Sequence, residues 1–88
     1  MHLFTFFKRN TLTGTPAAFH RTIDGELVLD IAASDGSGTY VFIAYADLAD
    51  QIERLLFTYR RNKRAVTMTV EYDPQDGQTV LHFNVVTS

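Results

Sequence analysis

The chain contains no cysteine. That removes disulfides, thiolate nucleophiles and Cys-ligated zinc, and it makes a reducing cytoplasm the default expectation. An excess of positive charge is also missing. Eight Lys and Arg stand against ten Asp and Glu, a formal net charge of −2, so the molecule as a whole is not drawn to nucleic acid or to anionic membrane. No apolar run approaches the ~18 residues that a membrane span requires. The apolar start, Met1 to Phe7, is too short for a signal peptide, and Lys8 and Arg9 follow it instead of preceding it. Internal repeats, linkers and low-complexity tracts are absent.

Motifs that carry chemistry are scarce as well. Nucleophilic catalysis needs Ser, Cys or Thr beside a base that a third group orients, and no neighbourhood such as G-x-S-x-G occurs. His2, His20 and His82 fall on different predicted strands with no metal-ligand spacing. Gly36 and Gly38 form an isolated G-x-G preceded by Asp35, which is not a phosphate cradle. Asp73 and Asp76 read first as turn residues. An enzyme would need folding alone to gather His20, Tyr40 or His82. The expectation is therefore a protein that is not an enzyme and needs no cofactor or metal.

What is present is organised around one helix, Asp47 to Lys63. Leu48, Ile52, Leu55, Leu56 and Tyr59 fall at offsets 0, +4, +7, +8 and +11, a single stripe of a 3.6-residue period. Asp47 reads as the N-cap, with Asp50 completing an approximate capping box, and Asn62 or Arg64 marks the end. Acidic residues open the helix and basic ones close it, as its dipole favours.

The rest alternates or runs short, as strands do. Strands are expected over His2–Phe7, Ala18–Ile23, Leu27–Ala33, Thr39–Tyr45, Val66–Tyr72 and Thr79–Val86, with Lys8–Pro16 as a polar loop. Asp24-Gly25 signals a hairpin. A three-residue loop, Asp24–Glu26, pairs Ile23 with Leu27 and Phe19 with Ile31. It also sets Arg21 opposite Leu29, where the guanidinium would need an edge or an acidic partner. The Thr39–Tyr45 strand is apolar on both faces and reads as central. In the last hairpin, Val70 pairs with Leu81, Met68 with Phe83 and Thr69 with His82. The fold class is α+β: residues 1–88 form one domain, an antiparallel twisted sheet of five to six strands with the helix, between the fourth and fifth, packed across one face.

Two surface features point to binding. Arg60, Arg61, Lys63 and Arg64 hold half of all basic residues in five positions. They either complement the helix dipole in water or form a positive patch for phosphate or an acidic protein surface, which Lys8 and Arg9 could extend. Phe57 lies about 180° from Leu48 round the helix, between Arg54 and Arg61. It is an interface anchor, or a ring partly shielded by the Arg stems or buried by a loop. These features predict a non-catalytic protein-interaction module, a small regulator or inhibitor that occupies a surface of a larger protein. Its binding residues would be Phe57, Arg54, Arg60, Arg61, Lys63 and Arg64. The doubly apolar strands predict a homodimer that covers the second face of the sheet, with barrel closure as the competing solution. The alternative function is single-stranded nucleic-acid binding, with that basic patch and the aromatics of the first and fourth predicted strands as platforms.

Overall fold

The computed structural model describes residues 10–87. Its elements are β1 (Thr11–Arg21), β2 (Leu27–Ala33), β3 (Thr39–Ala44), α1 (Ala46–Arg61), β4 (Val66–Tyr72) and β5 (Val80–Thr87). The fold is α+β, with five antiparallel strands rather than six among the described residues; the strand expected over His2–Phe7 lies outside them.

The main correction concerns β1. The segment expected to be a loop is a strand from Thr11 onward. Thr, Gly and Pro gave it a loop's composition, but β1 changes partner along its length, and that tolerates them. Thr11 to Gly14 pair with Glu71 to Met68 of β4, while Gly14 to Arg21 pair with Ala33 to Leu27 of β2. Gly14 serves both ladders. A Cβ there would lie 2.1 Å from the Ala32 carbonyl oxygen, so only glycine fits. The register then slips between Pro16 and Ala18, a bulge that absorbs a proline no central strand would otherwise accept.

The sheet order is β3-β2-β1-β4-β5. Three hairpin-linked strands, with a fourth returning beside the first, make a Greek key. β3 meets the residues just before β5: the Ile43 N–H donates to the Gln78 carbonyl at 2.9 Å, and Ile43 forms a lone parallel bridge with Thr79. The sheet is therefore a partly open barrel. β3, expected at the centre, is an outer strand, and the curl of the sheet shelters its inner residues.

Helix α1 packs on the concave side. Ala49, Ile52 and Leu56 are buried against Leu27, Leu29, Ile31, Phe42, Ala44, Met68, Val70 and Val80. The expected stripe is rotated slightly, since Leu48, Leu55 and Tyr59 are only half-buried. Asp47 is not the cap. The cap position is Tyr45, without a side-chain hydrogen bond, and Ala46 turns the chain out of β3 with φ of 51°. At the other end Asn62 is the cap and Lys63 takes the left-handed conformation, φ 56°.

Two registers differ from expectation. The first hairpin pairs Arg21 with Leu27 and Phe19 with Leu29, which leaves a five-residue connection and places Ile23, fully exposed, in it. The Thr22 hydroxyl accepts from the Glu26 N–H, and the Thr22 N–H donates to the Glu26 carbonyl, so these two residues close the loop instead of Ile23 and Leu27. In the second, Val70 pairs with Phe83, Met68 with Val85 and Thr69 with Asn84. A bulge at Glu71/Tyr72 brings Val80 opposite Tyr72, so Val80 is buried and Leu81, expected inward, is exposed.

Candidate functional site

Among the described residues, alternation from the buried positions puts His20, Val28, Asp30, Val41 and Ile43 outward, with the exposed Tyr45 following Ile43 just past the end of β3. Among the described strands the only Lys or Arg is Arg21, which is held by Asp50 and Glu53. The aromatics expected as platforms on the Thr39–Tyr45 strand are not assembled into one: Phe42 is buried against Tyr72, and Tyr40 donates its hydroxyl proton to Ser37 at 2.9 Å.

The helix carries the chemistry instead. Phe57 is 47% exposed and packs near-perpendicular to Phe19 of β1, with centroids 5.1 Å apart at 75°. Arg60, one turn on, lays its guanidinium over the other ring, 4.7 Å from the Phe19 centroid. This edge-to-face pair with a stacked cation fixes where Phe57 and Arg60 sit. Phe57 is thus partly shielded, by a ring from β1 and not by Arg stems alone.

Beside this stack a cleft of about 170 Å³ opens between the β1 bulge and the C-terminal half of α1. Pro16, Phe19, Leu56 and Tyr59 line it, with Arg60 and Arg64 among its walls. Arg54 belongs to the opposite flank. There, with Leu55, Tyr59 and Phe83, it lines a shallower groove against β5. Arg61 and Lys63 are exposed at the helix end. Among the described residues, Arg54, Arg60, Arg61, Lys63 and Arg64 have no carboxylate partner, whereas Arg21 has two. The structure therefore brings Phe57, Arg60 and Arg64 together and sets Arg54 apart. Sequence reading missed Phe19 and Pro16. The signal was the Arg21 parity, which already placed Phe19 on the inward face. Lys8 and Arg9, considered as extensions of the patch, lie outside the described residues.

His20 pairs across from Val28, His82 from Glu71, and neither is hydrogen-bonded to Tyr40. Among the described residues no group of three or more His, Asp or Glu could hold a metal, and no helix is long and apolar enough to cross a membrane. Two carboxylates are tuned by turns. Asp76 lies below its usual value of 3.8 because the Thr79 hydroxyl and the Thr79 and Gln78 N–H groups donate to it. Asp35 is lowered in the same way by Ser37. Both are turn locks and lie in the loops. No protein-family model, curated protein or solved structure matches the chain.

Proposed function

We propose that this chain is a non-catalytic protein-interaction module that docks an acidic protein surface through the C-terminal half of α1, acting as a small regulator or inhibitor. One observation carries the reading. Arg60 and Arg64 lie near a half-exposed Phe57, with Arg61 and Lys63 at the helix end and Arg54 on the other flank, and none of the five has a carboxylate partner among the described residues. Unpaired arginines around an aromatic are the residue types that concentrate binding energy. Acid–base segregation adds steering: the turns carry Asp24, Asp35, Asp73 and Asp76, while the helix end carries the cations. A cytoplasmic site of action belongs to this reading and rests on the lack of cysteine.

A single-stranded nucleic-acid binder is the second reading, favoured by the scaffold. Five-stranded, partly open Greek-key barrels include folds that hold oligonucleotides on strands two and three and the adjoining loops. That is an analogy of architecture only. Here those strands carry Asp30 and no Lys or Arg, so among the described residues they offer no cations to track a backbone.

Fluorescence anisotropy with a labelled Glu-rich peptide and with labelled oligothymidylate, across a salt series, tests the reading. The peptide is expected to bind and to be lost on Arg61→Glu with Arg64→Glu. Tighter binding of the oligonucleotide at physiological salt would overturn it in favour of the second reading.

A further inference from the structure

The cleft beside the Phe19–Arg60 stack has the size, lining and charge of a socket for one side chain. We propose that it accepts an aromatic side chain, a phenyl ring, flanked by acidic residues in an extended segment of the partner. The proposal rests on the docking reading above and adds what that reading leaves open, the source of specificity.

Size comes first. The volume is about 170 Å³, and a closed apolar cavity of roughly 150 Å³ accepts benzene. The cleft therefore has room for one ring and not for a run of stacked bases. Its lining is next. Leu56 is buried and Pro16, Phe19 and Tyr59 are half-buried, so the walls are apolar and held by the core. Phe19 is itself held by its perpendicular contact with Phe57 and by Arg60 over its face, so a ring entering the cleft meets a preorganised partner. Charge decides the flanks. Arg60 and Arg64 border the opening, with Arg61 and Lys63 beyond, and none has a carboxylate partner among the described residues. A segment with Asp or Glu on each side of its ring supplies what the rim lacks.

A nucleobase with its phosphate offers related chemistry, but the surroundings count against it. Nucleic-acid grooves repeat stacking platforms and cations along a track. Here the described strands offer no free Lys or Arg that could continue the track beyond the helix end.

The test uses the full chain and two labelled peptides of equal charge, one with a single Phe among Glu residues, the other with Ala in its place. At physiological salt the Phe peptide is expected to bind at least about tenfold tighter. Ala65 is exposed and lines the cleft, so Ala65→Phe should fill it without entering the core. This variant is expected to abolish the difference between the peptides. Thr15→Phe, which blocks from the β1 side, should do the same if Ala65→Phe fails to fold, as judged by circular dichroism. Equal affinity for both peptides would overturn the socket while leaving the docking reading intact. Binding of neither would overturn both. Displacement of the Phe peptide by oligothymidylate, with loss of oligonucleotide binding in Ala65→Phe, would assign the cleft to nucleic acid and overturn the proposal.

Discussion

Arg21 of β1 reaches across to α1 and places its Nε 3.2 Å from the Glu53 carboxylate. The same guanidinium pairs with Asp50 one turn earlier and donates to the Gly25 carbonyl at 2.6 Å. One side chain thus ties the first hairpin loop to the helix. All three partners are at least partly exposed, so the tie is a modest one. Replacing Arg21 with Met is expected to cost about 1 kcal/mol and to leave Asp50 and Glu53 facing each other unscreened. A double-mutant cycle with Glu53→Gln, followed by urea denaturation at low and high salt, checks it. The coupling should shrink as salt rises.

The helix makes unequal use of its two adjacent leucines. Leu56 is buried, whereas Leu55 is half-exposed in the groove with Tyr59 and Phe83. Leu56→Ala is expected to cost roughly 2–5 kcal/mol, the range for cavities left in packed cores. Leu55→Ala should cost clearly less. Chemical denaturation of both variants gives the order, and a reversed order would mean that the helix is rotated about its axis.

Gly14 is where β1 passes from one ladder to the other, and its neighbour is backbone, which cannot swing away. Gly14→Ala should destabilise by about 3 kcal/mol or more, an overpacking penalty at its upper end. Thermal unfolding or loss of soluble protein reads it out. Gly36→Ala meets no atom within 4 Å, so only its positive φ of 79° is at stake there.

Asp76 makes stability depend on acid. Its folded pKa is depressed, so its contribution is fully present above the usual value of 3.8 and is lost as pH falls through the folded value. The stability difference between the native chain and Asp76→Ala should therefore narrow in acid below 3.8 and hold steady above it. Denaturation of both chains across that range measures the difference.

A homodimer is the expected assembly, and we propose β5 as the edge that pairs. Beyond the Thr79 bridge, β5 pairs only with β4 among the described residues, and Leu81 and Val86 are exposed along it. Antiparallel pairing of two such edges completes both ladders. Val86→Lys should shift sedimentation at micromolar concentration toward the ~10 kDa species. A native chain that is already monomeric there would remove the dimer.

How far the fold could be read from residues depended on how local the cause was. The helix, the inward set Val66, Met68 and Val70, and the demand of Arg21 for an acidic partner all follow from periodicity and parity. β1 was misread because Thr13-Gly14-Thr15-Pro16 has a loop's composition. Its strand character comes from two partners distant in sequence, β4 and β2. β3 is apolar on both faces, which points to the centre of a sheet, but the curvature of the sheet produces the same pattern at its edge. At the candidate site the cations were visible as a cluster, whereas the cleft joins Pro16 and Phe19 to Leu56 and Tyr59, a juxtaposition only the tertiary fold creates.

The double pairing of β1 has a consequence for how the molecule assembles. The β1–β2–β3 meander can form its hydrogen bonds from nearby sequence. Its inner side chains, however, stay in water until Ile52, Leu56, Met68 and Val70 arrive from the second half of the chain. Closing that long loop must precede the reward for it, which slows folding and leaves no half that is stable by itself. A cut between Ala44 and the helix should therefore yield two unstructured fragments that fold only when mixed, so that the chain behaves as one cooperative unit.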